Sequence, residues 1–117
     1  MKPSSILYHW AVISFATIPG VTAAKHKECS CDVWDGYNWV YDWELTFNTC
    51  VNNYSGEANY NHGLGRCKWY SGLRVEGDVW TQSCSAQASQ GYYHVTNDAL
   101  DYQRGKIIGK QGHGFCK

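Results

Sequence analysis

Residues 37–56, YNWVYDWELTFNTCVNNYSG, follow two hydrophobic patterns at once, and the choice between them decides the fold. Over residues 37–47, apolar and polar side chains alternate, which is typical of a half-buried strand. A second set of side chains has helical spacing, and Asp42 and Glu44 would then lie in the first turn, where the helix dipole favours acids. That set is Val40, Trp43, Phe47, Cys50 and Tyr54. We favour a helix over about residues 41–53 and keep the strand as the alternative.

The cysteines give the second constraint on the fold. There are six of them: Cys29, Cys31, Cys50, Cys67, Cys84 and Cys116. An even number in a small exported chain predicts a disulfide framework with no free thiol, whose pairing the sequence leaves open. Cys29 and Cys31 are too close in sequence to bridge each other, so we expect each to reach a distant partner, and Cys116 to fix the C-terminus. Zinc would require ligand pairs with a wider spacing, so we expect no metal and no cofactor.

The first 24 residues have the layout of a secretory signal peptide. Residues 6–18 contain no Asp, Glu, Lys or Arg and are mostly apolar, and Pro19-Gly20 then precedes small residues that end at Ala23-Ala24. The apolar run of about 13 residues is shorter than the roughly 20 residues that span a bilayer. We therefore expect a signal peptide over residues 1–24, a secreted, extracellular product without a membrane span, and a single domain over residues 25–117.

The rest of the mature chain predicts short elements separated by turns. Residues 67–71, 92–95 and 106–108 have the composition of strands, and residues 73–84 predict a hairpin. Thr96-Asn97-Asp98 predicts the cap of a short helix that runs to Arg104. Together these elements predict an α+β fold: a small disulfide-stabilised single domain with one main helix packed on a short antiparallel sheet.

Charge is balanced over the whole chain but not along it. Ten Lys and Arg offset ten Asp and Glu, which argues against nucleic acid as the partner. Residues 28–65 contain six acids and no Lys or Arg, whereas residues 66–117 contain seven basic residues and four acids. The basic half could form an anion-binding face, but we favour the simpler interpretation of two solvated halves that balance each other.

Five aromatic residues crowd into ten positions: Trp34, Tyr37, Trp39, Tyr41 and Trp43. Their rings could contact a glycan or a protein partner, because aromatic side chains stack on sugar rings and dominate protein interfaces. The mature chain has only four Leu and two Ile, so these rings could instead fill the core, and we favour that interpretation. Asn53-Tyr54-Ser55 is an N-glycosylation sequon, so Asn53 is a candidate modification site.

An enzymatic hypothesis would draw on the four histidines that follow the signal: His26, His62, His94 and His113. Two of them, with Glu57, Arg66 or Arg74, could provide the acid, the base and the phosphate clamp of a small secreted ribonuclease. No local motif places these residues together, and no Gly-x-Ser-x-Gly is present. We therefore assign no catalytic residue and keep a ribonuclease-like toxin as an alternative.

The mature chain has a characteristic layout around its cysteines. Its features are Cys29-x-Cys31, Thr46 and Thr49 before Cys50, a central Cys67, three residues between Trp80 and Cys84, and a closing Gly112-His113-Gly114-Phe115-Cys116. This layout resembles the small secreted cysteine-rich proteins of filamentous fungi, many of which are effector candidates. The resemblance implies a compact α+β fold and brings no catalytic residue with it. Our leading hypothesis is a secreted, non-enzymatic interaction protein at a host–microbe boundary, with an extracellular protein or a cell-wall glycan as its partner. The alternatives are the ribonuclease-like toxin and a glycan-binding protein that uses exposed Trp and Tyr.

Overall fold

A computed structural model describes residues 24–117 of the chain. Except for Ala24, the predicted signal peptide lies outside the described residues, so the signal peptide and the domain boundary stay predictions. The elements are, in order, β1 (Lys25–His26), β2 (Glu28–Trp34), β3 (Trp39–Tyr41), α1 (Trp43–Asn53), β4 (Ala58–Asn61), β5 (Arg66–Trp69), β6 (Val75–Glu76), α2 (Gly77–Gln90), β7 (Tyr92–Thr96), β8 (Ala99–Ile107) and β9 (Gly112–Cys116). No helix in this part of the chain is long and apolar enough to cross a membrane.

Strand β2 lies at the centre of a five-stranded antiparallel sheet. One of its edges pairs with β9, from Cys29 opposite Cys116 to Val33 opposite Gly112. Its other edge pairs with β5 at the first residues of β2 and with β3 at the last, and β4 continues the sheet beyond β5. The order β4-β5-β2-β9, with α1 before β4 and α2 before β9, is the split βαβ arrangement of ferredoxin-like folds. The predicted α+β class is therefore confirmed.

The disulfides connect the sheet to both helices. The three bridges are Cys29–Cys116, Cys31–Cys84 and Cys50–Cys67, and no cysteine is free. They join β2 to β9, β2 to α2, and α1 to β5, so both helices are fixed to the same face of the sheet. The predictions that each of the two early cysteines reaches a distant partner, and that the last cysteine fixes the C-terminus, are confirmed.

Aromatic rings fill much of the core between the helices and the sheet. Trp80 is fully buried, and its indole Nε1 donates a hydrogen bond of 2.7 Å to the carbonyl oxygen of Ser30 on β2. The rings of Tyr54 and Trp69 pack against Trp80, with centroid distances of 5.6 and 5.5 Å. Tyr92 is also buried. Aromatic side chains thus compensate for the scarcity of Leu and Ile, because each buries a large apolar area.

Helix α1 confirms the helix predicted over residues 41–53, although it begins at Trp43. Asp42 is its N-cap: the backbone there is extended, and the carboxylate Oδ1 accepts a hydrogen bond of 2.9 Å from the amide of Leu45. Trp39–Tyr41 form the short strand β3, so part of the competing strand prediction over residues 37–47 is correct, although all three side chains are exposed and residues 43–47 are helical.

The hairpin predicted over residues 73–84 is wrong, because helix α2 begins at Gly77 and occupies most of this segment. The buried side of α2 consists of Trp80, Cys84, Gln87 and Ala88, which have helical spacing. Only one of these four is a large apolar residue, so the helical pattern is weak in the sequence. The structure therefore has two helices, of 11 and 14 residues, instead of one main helix.

The short helix predicted from Thr96 to Arg104 is also wrong, because these residues form a hairpin between β7 and β8. Asn97 and Asp98 have φ angles of 53° and 62°. Two consecutive residues of positive φ form the type I′ turn that joins adjacent antiparallel strands, and Asn and Asp tolerate this conformation better than other non-glycine residues. The same two side chains are good helix caps, which explains the error. The strand predicted at residues 92–95 is confirmed by β7.

Candidate functional site

The helices cover one face of the sheet, and the opposite face is partly exposed: Ser30 on it is buried, Glu28 and Asp32 are partly buried, and Trp34 is exposed. On β2 the side chains of Cys29, Cys31 and Val33 are buried toward the helices, so the alternate residues point to the opposite side. We call that side the outer face. On β2 it consists of Glu28, Ser30, Asp32 and Trp34.

Cross-strand pairing arranges the outer face in rows. Asp32 lies between Tyr41 of β3 and His113 of β9, and Trp34 lies opposite Trp39. In β9, the side chains that alternate with Gly112 and Gly114 point outward, and these are His113 and Phe115. The two glycines face α2, where a Cβ on Gly112 would lie 2.8 Å from the carbonyl oxygen of Cys84. Strand β9 has glycines on the side that faces α2 and large side chains on the side that faces solvent. It can therefore approach the helix closely.

The aromatic residues predicted as candidate contacts are all exposed. The exposed fractions are 38% for Trp34, 86% for Tyr37, 41% for Trp39, 47% for Tyr41 and 41% for Trp43. The interpretation that they fill the core is therefore wrong. Their residues form the β2–β3 hairpin and the first position of α1, where only one side of the backbone faces the core.

Two tryptophans and a histidine form one end of the outer face. The Trp39 indole is stacked on the His113 imidazole, with ring centroids 3.7 Å apart and planes 23° apart. Trp34 lies beside Trp39 at 5.4 Å, tilted by 60°. Because His113 Nε2 also donates a hydrogen bond of 3.3 Å to the carboxylate of Asp32, the imidazole is held from two sides. This support fixes the orientation of the Trp39 ring.

The turn of the β2–β3 hairpin positions the same aromatic end. Gly36 has a φ of 103°, which only glycine adopts without strain. The Asp35 carboxylate accepts hydrogen bonds of 2.7 Å from the amide of Asn38 and 2.8 Å from the amide of Tyr37. These two backbone hydrogen bonds lower the pKa of Asp35, because they stabilise the ionised carboxylate.

Polar side chains in fixed positions occupy the middle of the outer face. Arg66 of β5 forms a salt bridge of 3.1 Å with Glu28 of β2, and both side chains are more than two-thirds buried. The Tyr41 hydroxyl donates to the carbonyl of Gly65 and lies 3.2 Å from the Tyr60 hydroxyl. Partial burial and the contact with Tyr60 raise the pKa of Tyr41, so its phenol stays protonated. Because that proton is donated to Gly65, the Tyr41 oxygen can only accept a hydrogen bond from another group.

A hollow of about 340 Å³ opens between these groups, where β3 and β5 leave part of the β2 edge unpaired. Its lining combines ring edges, a carboxylate, a guanidinium and a serine. The lining residues are Ser30, Asp32, Tyr41, Leu64, Gly65, Arg66 and Phe115. A ligand lying in it could hydrogen-bond to the polar groups and contact aromatic carbon at the same time.

The four histidines considered for catalysis have different surroundings. His62 pairs with Asp98 at 2.7 Å, and His94 pairs with Glu44 at 3.0 Å. The hollow that contains Arg66 is lined by none of the four, and a second hollow contains Arg74 with His26 alone. Within residues 24–117, neither of these two hollows brings two histidines and an arginine together, which a ribonuclease-like site would require.

Two candidate sites remain, the glycosylation sequon at Asn53 and a metal site. Asn53 is exposed at the end of α1, and its side-chain amide donates a hydrogen bond of 3.0 Å to the carbonyl of Thr49. In the described part of the chain, no group of three or more His, Cys, Asp or Glu residues is arranged to hold a metal ion.

Several outer-face residues were not predicted to lie beside the aromatic contacts, and two of them, His113 and Arg66, were considered only for catalysis. Asp32, His113 and Phe115 belong to the same surface as the predicted aromatic contacts, as does the Arg66–Glu28 pair. The alternation within Glu28–Trp34 and Gly112–Cys116 contains a signal for their orientation, but only the strand pairing shows that they meet.

Comparison of this chain with protein-family models, with curated proteins and with solved structures finds no match.

Proposed function

We propose that this chain is a secreted, disulfide-bonded, non-enzymatic protein that binds a cell-wall oligosaccharide on the outer face of its sheet. We further propose that it acts at the boundary between a filamentous fungus and its host. The observation that carries the binding function is the exposed row of Trp34, Trp39 and Tyr41 beside fixed hydrogen-bonding groups. Exposed aromatic clusters on a small domain commonly mark interaction sites, because leaving such rings in water has no stabilising value.

The polar groups favour a saccharide over a protein as the ligand. The centre of a protein–protein interface is usually depleted of charged residues. Here the middle of the surface holds Asp32 and the paired Arg66 and Glu28, and Asp32 pairs in turn with His113 at the aromatic end. Planar polar side chains of this kind can bond to neighbouring hydroxyl groups of a sugar, while the flat rings contact its carbon face.

Titration calorimetry with hexamers of β-1,4-linked glucose and of β-1,4-linked N-acetylglucosamine tests the function. We expect one of them to bind, and Trp39→Ala to weaken that binding about tenfold, because the ring supplies an aromatic contact worth roughly 0.5–1.5 kcal/mol and supports Trp34. The matched control is Tyr102→Ala, which removes a ring that is 67% exposed on the separate β7–β8 sheet. Failure of both neutral hexamers and of the acidic saccharides described below to bind would contradict the proposal, as would equal effects of the two variants.

A further inference from the structure

A second hollow, of about 490 Å³, lies at the end of the sheet where β2 begins. It is strongly basic, and its lining comes from β1, the start of β2, the residue before β6 and the residue after β9. The lining residues are Lys25, His26, Lys27, Glu28, Arg74 and Lys117. Backbone hydrogen bonds of 2.9 Å from Trp69 to Lys27 and from Lys117 to Glu28 fix the strands that carry it.

The cations of this basic hollow are not neutralised by partners. Within residues 24–117, no salt bridge joins a carboxylate to Arg74 or to any of the three lysines of the hollow. Glu28, in contrast, is paired with Arg66. The carboxylates nearby are Glu28 and Glu76, which lies opposite Lys25 in the β1–β6 pair. Counting Arg66, five cations lie near these two carboxylates, so the hollow attracts anions.

The two hollows belong to one continuous surface. Arg66 lines the hollow of the outer face, Glu28 lines the basic hollow, and their salt bridge of 3.1 Å is the boundary between the two. From Glu28 to Trp34, strand β2 extends over about 20 Å at roughly 3.3 Å per residue. A ligand that follows β2 would therefore contact basic groups at one end and the Trp34–Trp39 rings at the other.

We propose, resting on the glycan-binding function above, that the ligand is an acidic oligosaccharide aligned along β2. Its anionic substituents lie in the basic hollow near Lys27 and Arg74, and its sugar rings lie against Trp39. A carboxylate and a sulfate ester share the chemistry that this hollow recognises, since both offer anionic oxygens to ammonium and guanidinium donors. The aromatic end contacts the uncharged sugar rings, and the basic end selects for the negative charge.

Binding of four hexameric probes, each measured by calorimetry at low and at high salt, tests the proposal. The probes are an oligogalacturonate, which carries carboxylates, a heparin fragment, which carries sulfates, a neutral glucose oligomer and a single-stranded RNA. At low salt we expect at least one acidic saccharide to bind about tenfold more tightly than the neutral one, and the preference to shrink at high salt, because salt screens exposed charges over about 10 Å or less. Whichever acidic saccharide binds more tightly shows whether the hollow prefers carboxylates or sulfates.

Two double variants separate the basic hollow from a general charge effect. Lys27→Gln with Arg74→Gln should remove the roughly tenfold preference for the acidic saccharide and leave binding of the neutral one unchanged. Arg104→Gln with Lys106→Gln removes the same charge from the β7–β8 hairpin and should leave the preference intact.

The outcomes distinguish this inference from the function on which it rests. Equal binding of neutral and acidic saccharides, with no effect of the Lys27 and Arg74 substitutions, would overturn the acidic ligand and leave the glycan-binding function standing. No binding of any saccharide would overturn both. Binding of RNA as tight as that of the acidic saccharide, and insensitive to Trp39→Ala, would show an unselective polyanion surface and would also overturn the inference.

Discussion

Replacement of Asn48 should strongly destabilise the protein. Asn48 is fully buried, and its side chain holds strand β7 against the helix. Its Nδ2 donates to the carbonyl of Tyr93 at 2.8 Å and to the carbonyl of Glu44 at 2.7 Å, while its Oδ1 accepts from the amide of Tyr93 at 2.9 Å. One side chain thus satisfies both backbone groups of a strand residue that lies outside the main sheet.

The expected magnitude follows from those two backbone groups. In Asn48→Leu the number and branching of the side-chain heavy atoms are kept, although the methyl groups are bulkier than the amide, and the amide and the carbonyl of Tyr93 lose their partner. Each unsatisfied buried group costs about 1–3 kcal/mol, and partial access of water to β7 reduces the sum to about 2–4 kcal/mol. For a domain of this size, that loss corresponds to a decrease in Tm of roughly 10–25 °C.

Thermal unfolding followed by circular dichroism, with all disulfides intact, measures this effect. The matched control is Asn52→Leu, one turn later on the same helix, where an exposed side chain donates a single hydrogen bond of 3.0 Å to Gln87. We expect the control to change the free energy of unfolding by less than about 1 kcal/mol. If Asn48→Leu were no more destabilising than Asn52→Leu, the hydrogen bonds to Tyr93 would not be what holds the β7–β8 hairpin.

Three further predictions concern the framework and the hairpin turn. Reduction should leave the protein largely unfolded at room temperature, because bridges with sequence separations of 17, 53 and 87 residues contribute about 3–5 kcal/mol each. A reduced form that keeps the thermal transition of the oxidised form would refute this prediction. Gly114→Ala should destabilise by about 1–3 kcal/mol in chemical unfolding, because the new Cβ would overlap the Trp80 indole; an unchanged midpoint would mean that β9 can shift. The carboxylate of Asp35 should titrate by NMR below its ordinary pKa of 3.8, owing to the amides of Asn38 and Tyr37. The turn is then stabilised above that ordinary pKa and loses the stabilisation as the pH falls through the lowered value, and a pKa at or above 3.8 would contradict this account.

The sequence predicts residues 37–56 better than helix α2 and the β7–β8 turn, because the local signals are strongest there. Residues 37–56 contain a strand pattern and a helical pattern; the short strand β3 lies before Asp42, and the helix that Asp42 caps follows it. Hydrophobic periodicity over the whole segment does not separate the strand from the helix. Asp42 marks the division, but the same hydrogen bond to the third following amide forms at Asp35 in the β2–β3 turn, so this signal alone does not locate the start of a helix.

The outer face could be predicted only in part, because it depends on which strands are neighbours. The alternation in Gly112–Cys116 places His113 and Phe115 on one side, yet nothing local indicates that this side adjoins Asp32 and Ser30 of β2. That contact joins residues about 80 positions apart, and the separation of 87 residues between Cys29 and Cys116 shows the same long-range pairing. Knowledge of that one disulfide would have fixed the register of β9 on β2, and with it the Asp32–His113 pair.

The exposure of the aromatic cluster follows from how the small core is completed. Tyr54, Trp69, Trp80 and Tyr92 already occupy the space between the helices and the sheet, and the five cysteines buried there fill much of the remainder. A sheet with helices on one side has no second core, so Trp34 and Trp39 cannot be buried without another molecule. Because the disulfides restrict the unfolded chain, the folded state does not depend on burying these rings. The chain can therefore keep large apolar side chains at a surface where only a ligand would cover them.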